Sequence, residues 1–199
     1  MAKVVAILGS YRRGGITDQA VDAVLEGARE AGAETGKIYL TERNIEFCRN
    51  CRTCSQLSGV TPGRCVHQDD MESVLGEVEG ANAVVLGSPV NYYNVTAVFR
   101  KFMERLLGFA AYWPWGKNLG PKMRARVFHR NAVLVCSAGM PGIMIPFATS
   151  APSALRLTAK MLGAAPVGRL WIGHAAVSSD QQLAPRTRAK AIDLGRRLA

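Results

Sequence analysis

The chain has 199 residues, 48% hydrophobic and 20% charged, which is room for one full-sized domain of ordinary globular composition. Such an apolar content excludes a disordered chain, and five cysteines in this length are too few for a disulfide-stapled miniprotein. Charged residues break every apolar run before the ~18–20 residues that a membrane helix needs. The opening MAKVVAILGS has too short an apolar core for a signal peptide. The expectation is a soluble cytoplasmic protein with reduced thiols and no membrane partner.

A formal charge of +10, from 25 Lys plus Arg against 15 Asp plus Glu, attracts anions in general. The basic residues cluster at Arg12 and Arg13, at Lys117, Lys122, Arg124, Arg126 and Arg130, and in the segment Arg186 to Arg197. None of these stretches is a purely basic block, and no zinc-finger, RNA-recognition or basic-zipper signature accompanies them. A solvated basic surface is favoured over nucleic-acid binding.

In chain order, KVVAIL at 3–8 reads as a strand buried on both faces. Residues 17 to about 32 carry Ala20, Val21, Val24, Leu25 and Ala28 at helical spacing. A second strand is expected at 37–40, then a long irregular link at 41–68 holding four cysteines. Asp69 or Asp70 is placed to cap a helix running through Glu79. A third strand at 83–86 ends in Gly87-Ser88-Pro89, and an amphipathic helix spans 95–107. Residues 108–130 form an aromatic and basic insertion. A fourth strand (132–136), a helix near 151–162, a fifth strand (167–172) and a last helix (185–198), with Pro in its first turn, complete the series. Alternating strands and helices predict an α/β fold, a doubly wound parallel sheet of five strands in one domain over 1–199, with helices on both faces. Ligands of such sheets bind beyond the carboxyl ends of the strands.

Three loops at those ends carry binding chemistry. Gly9-Ser10-Tyr11-Arg12-Arg13-Gly14-Gly15-Ile16-Thr17 opens the first helix and offers amides, hydroxyls and guanidinium groups, which suits a phosphate. It matches neither the Walker loop nor G-x-G-x-x-G. Pro89-Val90-Asn91-Tyr92-Tyr93 supplies tyrosine rings and an amide for a flat heteroaromatic ligand. Ser137-Ala138-Gly139 allows close backbone approach.

Cys48, Cys51 and Cys54 are spaced C-x2-C-x2-C, with Cys65 after ten more residues. That spacing lets thiolates converge as in ferredoxin-type sites. Zinc with His67, a redox-active dithiol and a plain loop of reduced thiols are the other readings. Cys136, at a strand end, reads as a small core residue. His129 and His174 lack a partner at catalytic spacing. Tyr112-Trp113-Pro114-Trp115 reads as a cover for a ligand or as a contact between subunits.

The stretches LGSYRRGGIT (8–17), CRNCRTC and GRCVHQDDM (48–71), GSPVNYYNVTAVFRKFMERL (87–106) and SAGMPG (137–142) resemble the flavodoxin-like NAD(P)H-dependent FMN reductases, including their iron–sulfur flavoprotein branch. The resemblance covers nearly the whole chain, and 87–106 is its most specific part. It implies the strand order 2-1-3-4-5 and an FMN whose phosphate sits on Ser10, Arg12, Gly15, Ile16 and Thr17. Gly15 stands where many relatives carry Ser or Asn, which leaves only its backbone N–H. Pro89, Val90, Asn91, Tyr92 and Tyr93 would surround the ribityl chain and the ring system, and Ser137, Ala138 and Gly139 would border the ring from the other side. In the iron–sulfur branch four cysteines hold a [4Fe–4S] cluster, a role that would fall to Cys48, Cys51, Cys54 and Cys65. The implied activity takes hydride from NAD(P)H onto flavin and passes electrons to a quinone, a flavin or another small acceptor. The alternative is an electron-transfer protein serving protein partners. Relatives imply a homodimer or homotetramer, and no protein acid–base residue is required because the flavin carries the chemistry.

Overall fold

In the computed structural model, which describes residues 1–59, 61–116, 120–124 and 129–199, the apolar run Lys3–Leu8 forms β1 with five of its six residues buried. α1 follows at Ile16–Glu30 and β2 at Glu34–Tyr39. α2 spans Met71–Glu79, β3 Ala83–Pro89, α3 Ala97–Arg105 and α4 Leu107–Ala110. A short antiparallel pair, β4 (Ala111–Tyr112) and β5 (Lys122–Met123), lies in the insertion. β6 (Arg130–Ser137), α5 (Ile145–Ala148), α6 (Ala151–Met161), β7 (Ala164–Ile172) and α7 (Pro185–Arg196) complete the chain. The main sheet is parallel throughout, in the order β2-β1-β3-β6-β7. Counting its five strands alone, this is the expected 2-1-3-4-5 order of a flavodoxin-like fold. No helix among the described residues is long and apolar enough to cross a membrane.

Side chains of a strand alternate between faces, and this alternation divides the core in two. Val5, Ile7, Val84, Leu86 and Leu134 join Phe99, Phe102 and Leu155 on the α3 and α6 side. Val4, Ala6, Leu8, Val85 and Val135 join Val21, Val24 and Leu194 on the side of α1 and α7. α1 and α7 pack backbone to backbone: a Cβ on Gly27 would lie 2.0 Å from the Ile192 carbonyl oxygen, and one on Gly195 would lie 1.9 Å from that of Val24. Only glycine permits that approach.

Several expectations shift in detail. β2 begins at Glu34 rather than at residue 37, because the ladder to β1 recruits Thr35 and Gly36 despite their weak signal. β7 begins at Ala164, ahead of residue 167. Pro166 is tolerated because this strand is an edge strand whose register shifts beside Val133. Asp70 occupies the N-cap position of α2 without a side-chain capping bond. Its carboxylate turns back and accepts from the Asn44 N–H at 2.7 Å. Asp69 accepts from the N–H groups of Met71 and Glu46, at 3.1 and 2.8 Å. The acidic pair thus fastens both ends of the cysteine loop to the helix start.

Two arginines of the basic insertion are buried and structural. Arg130 donates to the carbonyls of Ala81, Glu79 and Leu162, capping the ends of α2 and α6 where carbonyls lack helical partners. Arg124 donates to Gly108, Leu57 and Gly59. Burial lowers the pKa of both guanidinium groups. Lys117 and Arg126 lie outside the described residues.

Candidate functional site

The carboxyl ends of β1, β3 and β6 are tied together by hydrogen bonds that no local pattern specifies. The Gly9 N–H donates to the Gly87 carbonyl at 2.8 Å. The Thr96 hydroxyl, at the N-cap of α3, donates to the Gly9 carbonyl at 2.6 Å and accepts from the Phe99 N–H at 3.3 Å. Ser137 is the common joint. Its Oγ lies 2.7 Å from Thr17 Oγ1, and its carbonyl accepts from the Val90 N–H at 2.7 Å. Ala138 continues the seam, donating to the Ile172 carbonyl and accepting from Ala175. The structure therefore brings the three predicted loops to one place, with Gly139 beside Ala138 and Pro89 ending β3.

Within the first loop, Ser10 is buried and its hydroxyl bonds the Arg12 backbone on both sides, at 3.1 and 3.2 Å. Gly15 is the N-cap of α1 and carries no side-chain capping bond. The positive end of the helix and the first-turn amides of Ile16 and Thr17 are thus left without a side-chain acceptor, a donor set that fits a phosphate. Arg12 is exposed, and its guanidinium donates to the Ser179 carbonyl. Arg13 turns the other way, pairing with Glu42 and stacking 4.3 Å over the Tyr39 ring.

Asp18 and Gln19, which sequence reasoning passed over, brace this loop. Asp18, buried, accepts from the Gly14 N–H at 2.7 Å, from Lys37 Nζ and from the Tyr39 hydroxyl at 3.2 Å. Burial alone would depress the Lys37 pKa, but the bonds to Asp18, Asp22 and Tyr39 outweigh it and raise the value. Gln19 donates to the carbonyls of Gly14 (2.7 Å) and Gln181 (2.9 Å) and accepts from the Leu183 N–H (2.7 Å).

The second loop closes as a two-residue turn. Asn91 and Asn94 exchange backbone bonds of 2.8 and 3.0 Å, and Tyr92 and Tyr93 between them have φ of 44° and 62°. Both turn positions in the left-handed region define a type I′ turn, normally made by Asn and Gly. Tyrosine there is strained, and such strain gathers where ligands are gripped. Tyr92 is 98% exposed and Tyr93 65%, so the rings project from the strand ends rather than into the core. The Ser150 N–H holds the Tyr93 carbonyl at 2.8 Å.

The cysteines occupy a separate region. Cys48, Cys51 and Cys65 are exposed and Cys54 is half-buried. Burial, reinforced by the neighbouring thiols of Cys65, Cys48 and Cys51, pushes the Cys54 pKa up. The Thr53 hydroxyl, 3.5 Å from the Cys51 sulfur, draws Cys51 down. Among the described residues no three His, Cys, Asp or Glu side chains are placed to hold a metal ion. Cys54 and Cys65 line a cavity of about 530 Å³ with His67, Asp69 and Arg105, whereas Cys48 lines another of about 360 Å³ with Met103 and Met161. Cys136 is buried, which pushes its thiol up to about 12.

The tryptophans of the insertion have a definite partner. The Arg52 guanidinium stands 3.7 Å from the Trp113 ring and 4.0 Å from that of Trp115, and donates to the Trp113 carbonyl at 2.6 Å. Their described contacts thus clamp the cysteine loop. His174 sits in a turn with φ 52°, its N–H on the Met140 carbonyl.

Comparison with known proteins bears on the fold and the family. An iron–sulfur flavoprotein of Archaeoglobus fulgidus is 38% identical over 107 residues, 54% of this chain and 46% of that protein. One from Methanocaldococcus jannaschii is 33% identical over 103 residues, 52% of this chain and 51% of that protein. The chain matches about half the length of these relatives. Among solved structures, an NAD(P)H:quinone oxidoreductase from Methanothermobacter marburgensis superposes with a TM-score of 0.69 at 18% identity, covering 98% of this chain and 96% of that one. An FMN-dependent NADH-azoreductase from Bacillus anthracis, solved in complex with FMN, gives 0.71 at 12% identity over the full length of both. These two show a shared fold. The model of the family described as NADPH-dependent FMN reductase matches residues 2–176, a span that holds all three strand-end loops, and the chain therefore belongs to that flavin-dependent oxidoreductase family.

Proposed function

We propose that this protein is an FMN-dependent oxidoreductase that takes reducing equivalents from NAD(P)H and delivers them to a small acceptor such as a quinone or a free flavin. The observation that carries the reading is the uncapped mouth of α1, joined through Thr17 and Ser137 to the tyrosine turn. The helix mouth at Gly15, Ile16 and Thr17, with Ser10 and Arg12, would hold the FMN phosphate. Pro89, Val90, Asn91, Tyr92 and Tyr93 would hold the ribityl chain and cover the ring, with Ser137, Ala138 and Gly139 along its opposite edge. Bound FMN supplies the hydride and electron chemistry. The chain's own work is to seat the phosphate, fix the ring against the Asn91–Asn94 turn and limit water beside it.

The exposed Tyr92, Ile143, Met144 and Phe147 support a homodimer or homotetramer in which a second copy covers this end of the sheet. A cytoplasmic enzyme of one domain is the accompanying reading. Titration of the protein with FMN, followed by flavin fluorescence, tests the assignment. Saturable binding at micromolar FMN, and bleaching of the bound flavin by NADH or NADPH under anaerobic conditions, are expected; failure to bind rejects it.

A second reading, electron transfer to protein partners with a cluster on Cys48, Cys51, Cys54 and Cys65, draws on the nearness of the other three thiols to Cys54, whose pKa they help raise, and on the relatives' name, iron–sulfur flavoprotein. Iron and sulfide analysis after anaerobic purification separates the two.

A further inference from the structure

Gly14 is held through both of its backbone polar groups. Its N–H donates to Asp18 Oδ2 at 2.7 Å and its carbonyl accepts from Gln19 Nε2 at 2.7 Å. Its φ of +68° is the left-handed conformation that glycine enters freely, and open space surrounds the position a Cβ would take. These two side chains take up both backbone polar groups of a residue that carries no side chain of its own to fix it. Each of them is anchored elsewhere. Asp18 is bound to Lys37 and Tyr39 on β2, and Gln19 spans to Gln181 and Leu183 in the loop after β7. Arg13, the next residue back, is drawn onto Tyr39 and Glu42.

The residues at 13 and 14 are thus spent on bracing, while those at 15–17 present their amides at the helix mouth. The presence of Asp18 needs this explanation. A buried carboxylate one turn from a proposed anion site repels the anion, and it is retained with Lys37 as its counter-charge. A positional role accounts for it, since Asp18 holds the Gly14 peptide and so aims the amides that follow.

We propose that Asp18 and Gln19 are positioning residues that preorganise the first loop for a phosphate and so set the preference of the site for FMN over riboflavin. The proposal rests on the FMN reading above. Binding to a preordered loop avoids the entropy of ordering it at that moment, and the benefit falls on the phosphate, which meets the loop, more than on the ring system, which meets the tyrosine turn.

The test is the ratio of riboflavin to FMN dissociation constants, measured by flavin fluorescence quenching on the full chain. Wild type is expected to prefer FMN. In Asp18→Asn the preference is expected to fall about tenfold, ~1.4 kcal/mol, and Gln19→Ala is expected to move it in the same direction. Asp22→Asn is the charge control, because Asp22 touches Lys37 (2.6 Å) but not Gly14; it is expected to keep the preference. Should Asp18→Asn fail to fold, as judged by circular dichroism, Gln19→Ala decides alone. A preference kept within about twofold, an increased preference for FMN, or an equal loss in Asp22→Asn overturns the proposal. A wild-type protein that binds neither flavin overturns the FMN reading instead, a result visible before any variant is made.

Discussion

Tyr92 and Tyr93 hold backbone conformations that cost an L-residue about 1–2 kcal/mol each. Their rings gain little in return from the core, being exposed. Tyr93→Gly is therefore expected to stabilise the flavin-free protein by about 1 kcal/mol in urea denaturation while weakening FMN binding. A stability unchanged or lowered would show that the turn is not strained. Arg12 is exposed with its guanidinium on the Ser179 carbonyl, and the proposed function assigns it to the phosphate. Arg12→Ala is expected to weaken FMN about tenfold, the loss of one charge-assisted bond at an exposed position, and titration checks it. The cysteines differ by environment in the same manner. The Thr53 hydrogen bond lowers Cys51, burial raises Cys54, and burial pushes Cys136 up to about 12. Because the thiolate is the nucleophile, iodoacetamide at neutral pH should label metal-free protein at Cys51 before Cys54 and at Cys136 last, an order read by mass spectrometry. Thr53→Val is expected to slow Cys51.

At the scale of elements, α2, α3 and the cysteine loop are joined by one buried ion pair. Arg105 and Asp69 meet through two bonds, 2.5 and 3.1 Å, with both side chains only 2% exposed, and Arg105 also donates to the Glu46 carbonyl at 2.8 Å. Burial alone would raise the Asp69 pKa; the Arg105 guanidinium and the N–H groups of Glu46 and Met71 outweigh it and hold the value below the ordinary carboxylate range. A carboxyl depressed by folding contributes stability that is fully present above its unfolded pKa, about 3.9, and is lost as pH falls through the lower folded value. Asp69→Asn is expected to cost about 3–5 kcal/mol at neutral pH, because it leaves Arg105 buried without its counter-charge. The difference from wild type should shrink below about pH 4; a constant difference across acid pH would dispose of the ion-pair account. This pairing was not legible in the sequence. Asp69 reads there as a helix cap, since capping is a local rule, whereas Arg105 lies on another helix. The starts of β2 and β7 are hidden for the same reason: Gly36 and Pro166 look like breaks until the neighbouring strand supplies a ladder.

For the molecule as a whole, apolar side chains gather at the carboxyl end of the sheet. Ile143 is 79% exposed and Phe147 87%, and the Ser150–Tyr93 bond brings their segment beside the tyrosine turn. If a second copy covers this face, Phe147→Asp is expected to lower the mass measured by analytical ultracentrifugation toward that of one chain, 21.4 kDa. An unchanged mass would place the subunit contact elsewhere or show that there is none. The net charge of +10 acts over a longer range than any of these contacts and favours anionic ligands in general. Several of its contributors are already committed internally, Arg105, Arg124 and Arg130 being buried, so the composition overstates the basic surface.

What the sequence by itself determined is the alternation of strands and helices, because period-two and 3.6-residue patterns are local consequences of burying one face of an element. It also located the three loops, since glycine, proline and hydroxyl residues mark strand ends through their own backbone preferences. Tertiary structure alone decided that Ser137 joins all three loops, that Asp18 is anchored on β2 and Gln19 on the loop after β7, that Arg52 lies against two tryptophans and that Cys48 faces a different cavity from Cys54. The hydrogen bonds among these join residues from 19 to 164 positions apart, and hydrogen bonds and ion pairs carry no periodic signature. They arise only when the packed sheet brings distant residues within about 3 Å of one another.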